Sequence, residues 1–241
     1  MTLADFFNRV YVLNLPYRTD RRRAMARELA RAGMPLTPGR VEIVPGVRPA
    51  QADNFPDVGM LGCFLGHLGA MKKAREECTE SVLILEDDLA FSPDLAAATP
   101  NFVERLSTEP WDIVYFGHIL DVPEPATGPA LVRAPGPVML THFVGYHRRV
   151  LDRLIAFLEL VRSRPGGHPE GGPMQIDGAI GTFWMRHTDV VTLVAAPSQG
   201  WQRSSRSDNL HVKWFDRIPV VRGMVEAARG VKRWFDPRRR R

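Results

Sequence analysis

Apolar positions along the chain follow two rhythms that alternate with each other. Arg9-Val10-Tyr11-Val12-Leu13-Asn14-Leu15 is short, rich in β-branched and aromatic residues, and ends at Pro16, which predicts a buried strand. A helical period follows, in which Thr19 or Asp20 can cap, Met25 and Leu29 lie one turn apart, and Gly33 with Pro35 beyond closes the segment. Val41-Glu42-Ile43-Val44 predicts a second strand closed by Pro45-Gly46. Asp57 can cap a helix over 58–77, where Leu61, Phe64, Leu65, Leu68 and Met71 recur at helical spacing and make one apolar face. Ser81-Val82-Leu83-Ile84-Leu85 is apolar after its first residue, predicts a fully buried strand, and runs directly into Glu86-Asp87-Asp88. Beyond it the pattern predicts a helix near 94–107, strands over 112–117 and 138–147, helices over 148–162 and 177–187, and a strand over 190–195. The stretches 121–137 and 163–173 are dense in Pro and Gly and predict loops.

Strands and helices in alternation predict an α/β fold, with a mostly parallel central sheet covered on both faces. The length of 241 residues is ample for one such body with an appendage. No apolar run approaches the ~18 residues of a membrane span, and the acid-bearing N-terminus does not read as a secretory leader. Cys63 and Cys78 show neither a disulfide framework nor a zinc knuckle, and a reducing cytoplasmic setting is the expectation.

Charge changes this picture at one end only. The net charge is +5 from 32 Lys+Arg against 27 Asp+Glu, but residues 201–241 hold 12 and 4 of these, a net of +8, leaving 20 and 23, a net of −3, for residues 1–200. Pro219 can open a helix whose Val221, Met224, Val225, Ala228, Val231 and Phe235 fall on one side, flanked by Arg and Lys. The expected organisation is therefore a body over 1–216 and a basic amphipathic tail over 217–241. The tail suits the surface of an anionic membrane, or a helix packed on the body with a solvated basic end. No nucleic-acid recognition motif accompanies the charge, so nucleic acid is not an expected partner.

The chemistry concentrates at Glu86-Asp87-Asp88. Ligands of open α/β sheets bind beyond the carboxyl ends of the strands, where this triplet stands. Adjacent carboxylates repel unless water or a cation neutralises them, and hard oxygen ligands suit Mn2+ or Mg2+ bridging to a diphosphate. A solvated acidic turn is the alternative. The chain has no Gly-x-x-x-x-Gly-Lys loop, which argues against a P-loop enzyme.

Three segments, Val10-Tyr11-Val12-Leu13-Asn14-Leu15 with Arg18, Asp20 and Arg21, then Gly62-Cys63-Phe64-Leu65-Gly66-His67, then Leu83-Ile84-Leu85-Glu86-Asp87-Asp88, resemble glycosyltransferase family 25 in order and spacing. One departure is Gly66, where the family usually carries Ser. The resemblance covers roughly residues 9–210 and implies a GT-A-like nucleotide-sugar-binding fold with Glu86-Asp87-Asp88 as the acidic motif. It implies that Asp88 contacts the metal, that Glu86 and Asp87 face the ribose or metal-bound water, and that Asn14, Arg18, Arg21 and His67 border the donor. Without the resemblance, His67 reads as a core histidine and Arg21-Arg22-Arg23 as a solvated helix face. Family members are described as inverting, which calls for a base on the acceptor side. Asp177, after the Gly-rich loop, is the candidate, with a helix N-cap as its other reading. Gln202, Ser205, Ser207 and Asp208 form a weaker polar patch, and His211 is a candidate further metal ligand.

The expected function is transfer of a hexose, galactose first, from a UDP-sugar donor to a glycan or glycolipid acceptor, in the cytoplasm or peripherally on the inner face of the cell membrane. An enzyme using another donor, a nucleotide-sugar hydrolase and a non-catalytic sugar-nucleotide-binding module are the alternatives.

Overall fold

The computed structural model describes residues 1–203. The tail over 217–241, and with it Ser205, Ser207, Asp208 and His211, lies outside the described residues. In chain order the elements are α1 (Leu3–Phe6), β1 (Arg9–Asn14), α2 (Thr19–Arg31), β2 (Val41–Pro45), α3 (Val58–Glu76), β3 (Ser81–Glu86), β4 (Leu89–Phe91), α4 (Leu95–Thr108), β5 (Ile113–Tyr115), β6 (Ala130–Arg133), β7 (Phe143–His147), α5 (Arg148–Ser163), α6 (Ile176–Arg186), β8 (Thr192–Ala196) and β9 (Gly200–Gln202). Among the described residues no helix is long and apolar enough to cross a membrane.

Seven strands form one sheet in the order β2-β1-β3-β7-β5-β8-β6. β1, β2, β3, β5 and β8 run one way, while β7 and β6 run the other. This is the expected α/β arrangement with a mostly parallel central sheet. β7 is wedged antiparallel between β3 and β5, pairing Leu85 with Phe143 and Tyr115 with Val144. Gly145 sits at the centre of that strand, where an added Cβ would lie 2.6 Å from the Phe7 ring. The close packing of α1 on the sheet therefore requires glycine there.

Strand alternation divides the core into two layers. Val10, Val12, Leu83 and Leu85 face Met25 and Leu29 of α2 and Phe102 of α4. Tyr11, Leu13, Val82 and Ile84 face Phe64 and Leu68 of α3, Leu154 of α5 and Phe183 of α6. β1 and β3 are almost fully buried on both faces, as their uninterrupted apolar runs require.

Several local expectations are refined. Asp57 caps α3, accepting the Met60 N–H at 2.8 Å. Neither Thr19 nor Asp20 caps α2: Thr19 is its first helical residue and Arg18 holds the cap position without a side-chain cap bond. The loop expected over 121–137 contains β6, and β4 and β9 pair with each other as a small second sheet.

Candidate active site

The acidic triplet sits at the carboxyl end of β3, and the pleat of the strand splits it. Glu86 continues the Val82–Ile84 side and points toward α3, whereas Asp87 continues the Leu83–Leu85 side and points toward α2. One residue of sequence therefore separates two environments.

On the α2 side, Asp87 is buried, with 6% exposure. Its Oδ2 accepts from Asn14 Nδ2 at 2.7 Å and its Oδ1 from Arg21 Nη1 at 2.8 Å. Arg21 Nη1 also lies 3.4 Å from Asp88 Oδ2. Asn14 is the last residue of β1 and is itself buried; its amide also donates to the Arg18 carbonyl at 3.2 Å, fixing the turn that starts α2. Arg21 comes from the first turn of α2, three residues beyond Arg18. Arg18 grips Asp20 through Nε and Nη2 at 3.0 and 2.9 Å, and this fork holds the Asp20 carboxyl at about 2, burial working against it.

On the α3 side, Glu86 Oε1 accepts from Thr141 Oγ1 at 3.0 Å and faces His67 Nε2 at 3.2 Å; its Oε2 accepts from Gln202 Nε2 at 3.2 Å. Its backbone N–H donates to the His142 carbonyl at 3.0 Å. Burial pushes the Glu86 carboxyl up, but His67, His142 and the Thr141 hydroxyl together hold it down at about 2. His142 is itself pushed down by burial, against the attraction of Glu86. His67 is fully buried in the middle of α3. The glycines beside it differ in what they permit. A Cβ at Gly62 would stand 2.5 Å from the Val47 carbonyl, so the close approach of that loop requires glycine. A Cβ at Gly66 would meet only Leu13 Cδ1 at 3.8 Å, so the serine of the resembled family would fit without rearrangement.

Asp177 lies in the first turn of α6, but it is not the cap, which is Gln175. The N-cap reading of Asp177 is thereby corrected, because the helix begins one residue earlier, at Ile176. Its carboxylate accepts the Leu140 N–H at 3.1 Å and the Gly178 N–H at 2.7 Å, and is 7% exposed. Leu140 has φ +73, a left-handed conformation costly for a residue with a Cβ. Asp177 thus pins the strained residue that leads into Thr141 and His142, both of which meet Glu86.

The structure therefore brings together Asn14, Arg21, Asp87 and Asp88 on one face and His67 and Glu86 on the other. Asp177 reaches the second group through the 140–142 segment. Thr141 carried no sequence signal, since its partner is 55 residues away. Gln202 had a weak one, as a member of the polar patch, and gains its place from the pairing of β9 with β4 just after the triplet.

No family model matches the chain. Curated relatives do: mouse procollagen galactosyltransferase 2 is 25% identical over 200 residues, 75% of this chain and 31% of that protein. Zebrafish procollagen galactosyltransferase 1 is 29% identical over 130 residues, 46% and 21% of the two chains. Human inactive glycosyltransferase 25 family member 3 is 27% identical over 180 residues, 66% and 29%. The chain spans about a third or less of the length of these relatives. Among solved structures, a glycosyltransferase involved in the glycosylation of the major capsid of PBCV-1 is similar at a TM-score of 0.48 and 14% identity, over 78% of this chain and 82% of that one. The resemblance read from the three sequence segments is thus matched by similarity, at 25–29% identity, to proteins named procollagen galactosyltransferases and glycosyltransferase 25 family members.

Proposed function

We propose that the chain is a metal-dependent glycosyltransferase that moves a hexose, galactose first, from a UDP-sugar to a glycan or lipid-linked acceptor, with inversion. The observation that carries this reading is the placement of Asp87 and Asp88 at the carboxyl edge of β3, where Asn14 and Arg21 orient them. Their hard oxygens suit Mn2+ or Mg2+ by chemistry, and Arg21 already shows that the pair holds positive charge there. Asp88 would hold the ion, and His211, outside the described residues, is the further ligand proposed. The ion, when bound, would neutralise the leaving diphosphate.

This chain's own residues do the rest. Asn14 and Arg21 fix Asp87, and Arg21 offers a guanidinium, a donor fork suited to phosphate oxygens. Arg18 borders the same edge. His67 and Thr141 fix Glu86 on the other face. Asp177 is the proposed base for the acceptor hydroxyl, and its hold on Leu140 ties that role to the shape of the 140–142 segment. The basic tail is proposed to bring the body to an anionic membrane surface at the cytoplasmic face, where lipid-linked acceptors lie.

A second reading, a non-catalytic sugar-nucleotide-binding module, is favoured by one observation: two relatives at comparable identity are named inactive or probably inactive. The separating experiment is a screen of UDP-sugars for Mn2+-dependent release of UDP, with Asp88→Ala as control. Turnover by the wild-type chain that falls by about 100-fold or more in Asp88→Ala, with the fold retained, is expected of the enzyme. Metal-dependent UDP binding without turnover on any donor would favour the module, and wild-type turnover in Asp88→Ala would remove the site assignment.

A further inference from the structure

The α3 face of Glu86 gathers ligand atoms from three side chains. Cys63 and His67 are four residues apart on α3, so their side chains share one helix face. The pleat of β3 turns Glu86 toward that face. One ligand atom from each of Cys63, His67 and Glu86 lies within 4.8 Å of the other two. His67 Nε2 and Glu86 Oε1 are 3.2 Å apart. Two ligands about 2.0–2.1 Å from a tetrahedral ion stand about 3.3 Å apart, so this spacing serves a shared ion as well as a hydrogen bond.

The surroundings also point to a cation. His67 is completely buried and its Nδ1 has no hydrogen-bond partner among the described residues; the same holds for the Tyr146 hydroxyl, which feels the charge of Glu86. Burial first, and then the charges of Glu86, Asp177 and Asp88, push the Cys63 thiol well up, so its thiolate needs a compensating cation. The pocket is therefore electronegative, largely closed to water, and built from sulfur, imidazole and carboxylate. That donor set selects a borderline ion with tetrahedral preference, and differs from the all-oxygen set offered by Asp87 and Asp88.

We propose that Cys63, His67 and Glu86 form a three-ligand Zn2+ site inside the α3 face, separate from the divalent ion proposed for Asp88. Binding converts the Cys63 thiol to a thiolate with release of one proton to solvent, moves the proton that His67 Nε2 shares with Glu86 to Nδ1 of the same ring, replaces the His67–Glu86 hydrogen bond by one coordination bond from each side chain, and leaves the fourth position to water. The ion would lock α3 to the end of β3 and so set the rotamer of Glu86 next to the donor edge.

The test is titration of the metal-stripped full chain, carrying Cys78→Ser to remove its exposed second thiol, with Co2+ followed by visible and near-ultraviolet absorption. Binding of one equivalent is expected, with intense four-coordinate d–d bands, a thiolate-to-cobalt charge-transfer band, and displacement of both by Zn2+. Cys63→Ser should lose the charge-transfer band, and His67→Ala should weaken Zn2+ binding at least 100-fold. Asp88→Ala should leave the spectrum unchanged while abolishing Mn2+-dependent UDP release, so this site and the transferase reading fail separately. Co2+ binding by the folded parent chain without a charge-transfer band, or no binding at micromolar metal, overturns the proposal whether or not the single variants fold. A band that persists in Cys63→Ser does the same.

Discussion

Asp87 and Glu86 are neighbours in the chain and opposites in their chemistry. Asp87 is compensated by Arg21, a cation that never titrates in the working range, and by the Asn14 amide. Glu86 is held by an imidazole, a hydroxyl and an amide. The α2 face is therefore a fixed-charge clamp, and the α3 face a clamp of an imidazole and two neutral donors. The difference shows that a run of acids at a strand end need not act as a unit, since the pleat alone hands adjacent members to different helices.

Removing the clamp on the α2 face should have the largest effect on stability. Arg21→Ala takes away the cation that touches both aspartates, whose side chains are only 9% and 16% exposed. Breaking a largely buried pair from one side costs about 3–5 kcal/mol, because the remaining charge stays buried. Urea denaturation should show a lowered midpoint at unchanged slope, with Arg21→Lys recovering only part because an ammonium lacks the fork. A loss under about 1 kcal/mol would mean that water or the tail neutralises the aspartates instead, and the contrast between the faces would disappear.

The α3 face should show its character in acid. The Glu86 carboxyl is depressed from 4.5 to about 2, so its contribution to stability is fully present above about pH 4.5 and is lost as pH falls toward 2. The expected loss is on the order of 1–3 kcal/mol across that window, read by chemical denaturation at a series of pH values. Glu86→Gln should lack this acid-dependent component, while Arg21→Ala should retain it. Parallel pH profiles for the wild-type chain and Glu86→Gln would show that the donors around Glu86 hold the neutral group equally well.

The smallest change in stability belongs to the link between the α3 face and the acceptor side. Asp177→Asn keeps one acceptor and turns an amide N–H toward one of the two backbone donors now bound by the carboxylate, so a loss of about 1 kcal/mol is expected. If Asp177 is the base, transfer should also fall by about 100-fold or more while UDP affinity stays nearly constant. An unchanged rate beside the stability loss would reduce Asp177 to the pin of Leu140.

Much of this was legible in the chain. β1, α2, β2, α3, β3, α4 and α5 fall close to where apolar period and breakers place them, because each is long or buried enough for its period to show. β4, β6 and β9 were not legible: at three or four residues they have no readable period and exist through partners supplied from far along the chain. The direction of β7 was not legible either. Its residues read as a strand, but its direction depends on the whole 116–142 connection, β6 included, and on the partners it meets in β3 and β5.

The sequence by itself determined the α/β alternation, the buried strand that delivers the triplet to a ligand-binding edge, and the residue types that give the triplet its chemistry. These are local properties: hydrophobic period, helix breakers and charge are written in consecutive residues. Tertiary structure alone decided that Arg21 closes on Asp87, that Thr141 and Gln202 converge on Glu86 from 55 and 116 residues away, and that Asp177 accepts the Leu140 N–H. It also decided that Cys63 and His67 meet a carboxylate from another element. Such contacts depend on sheet order and on where each element stops, and a shift of one residue at the end of β3 would exchange the faces of Glu86 and Asp87.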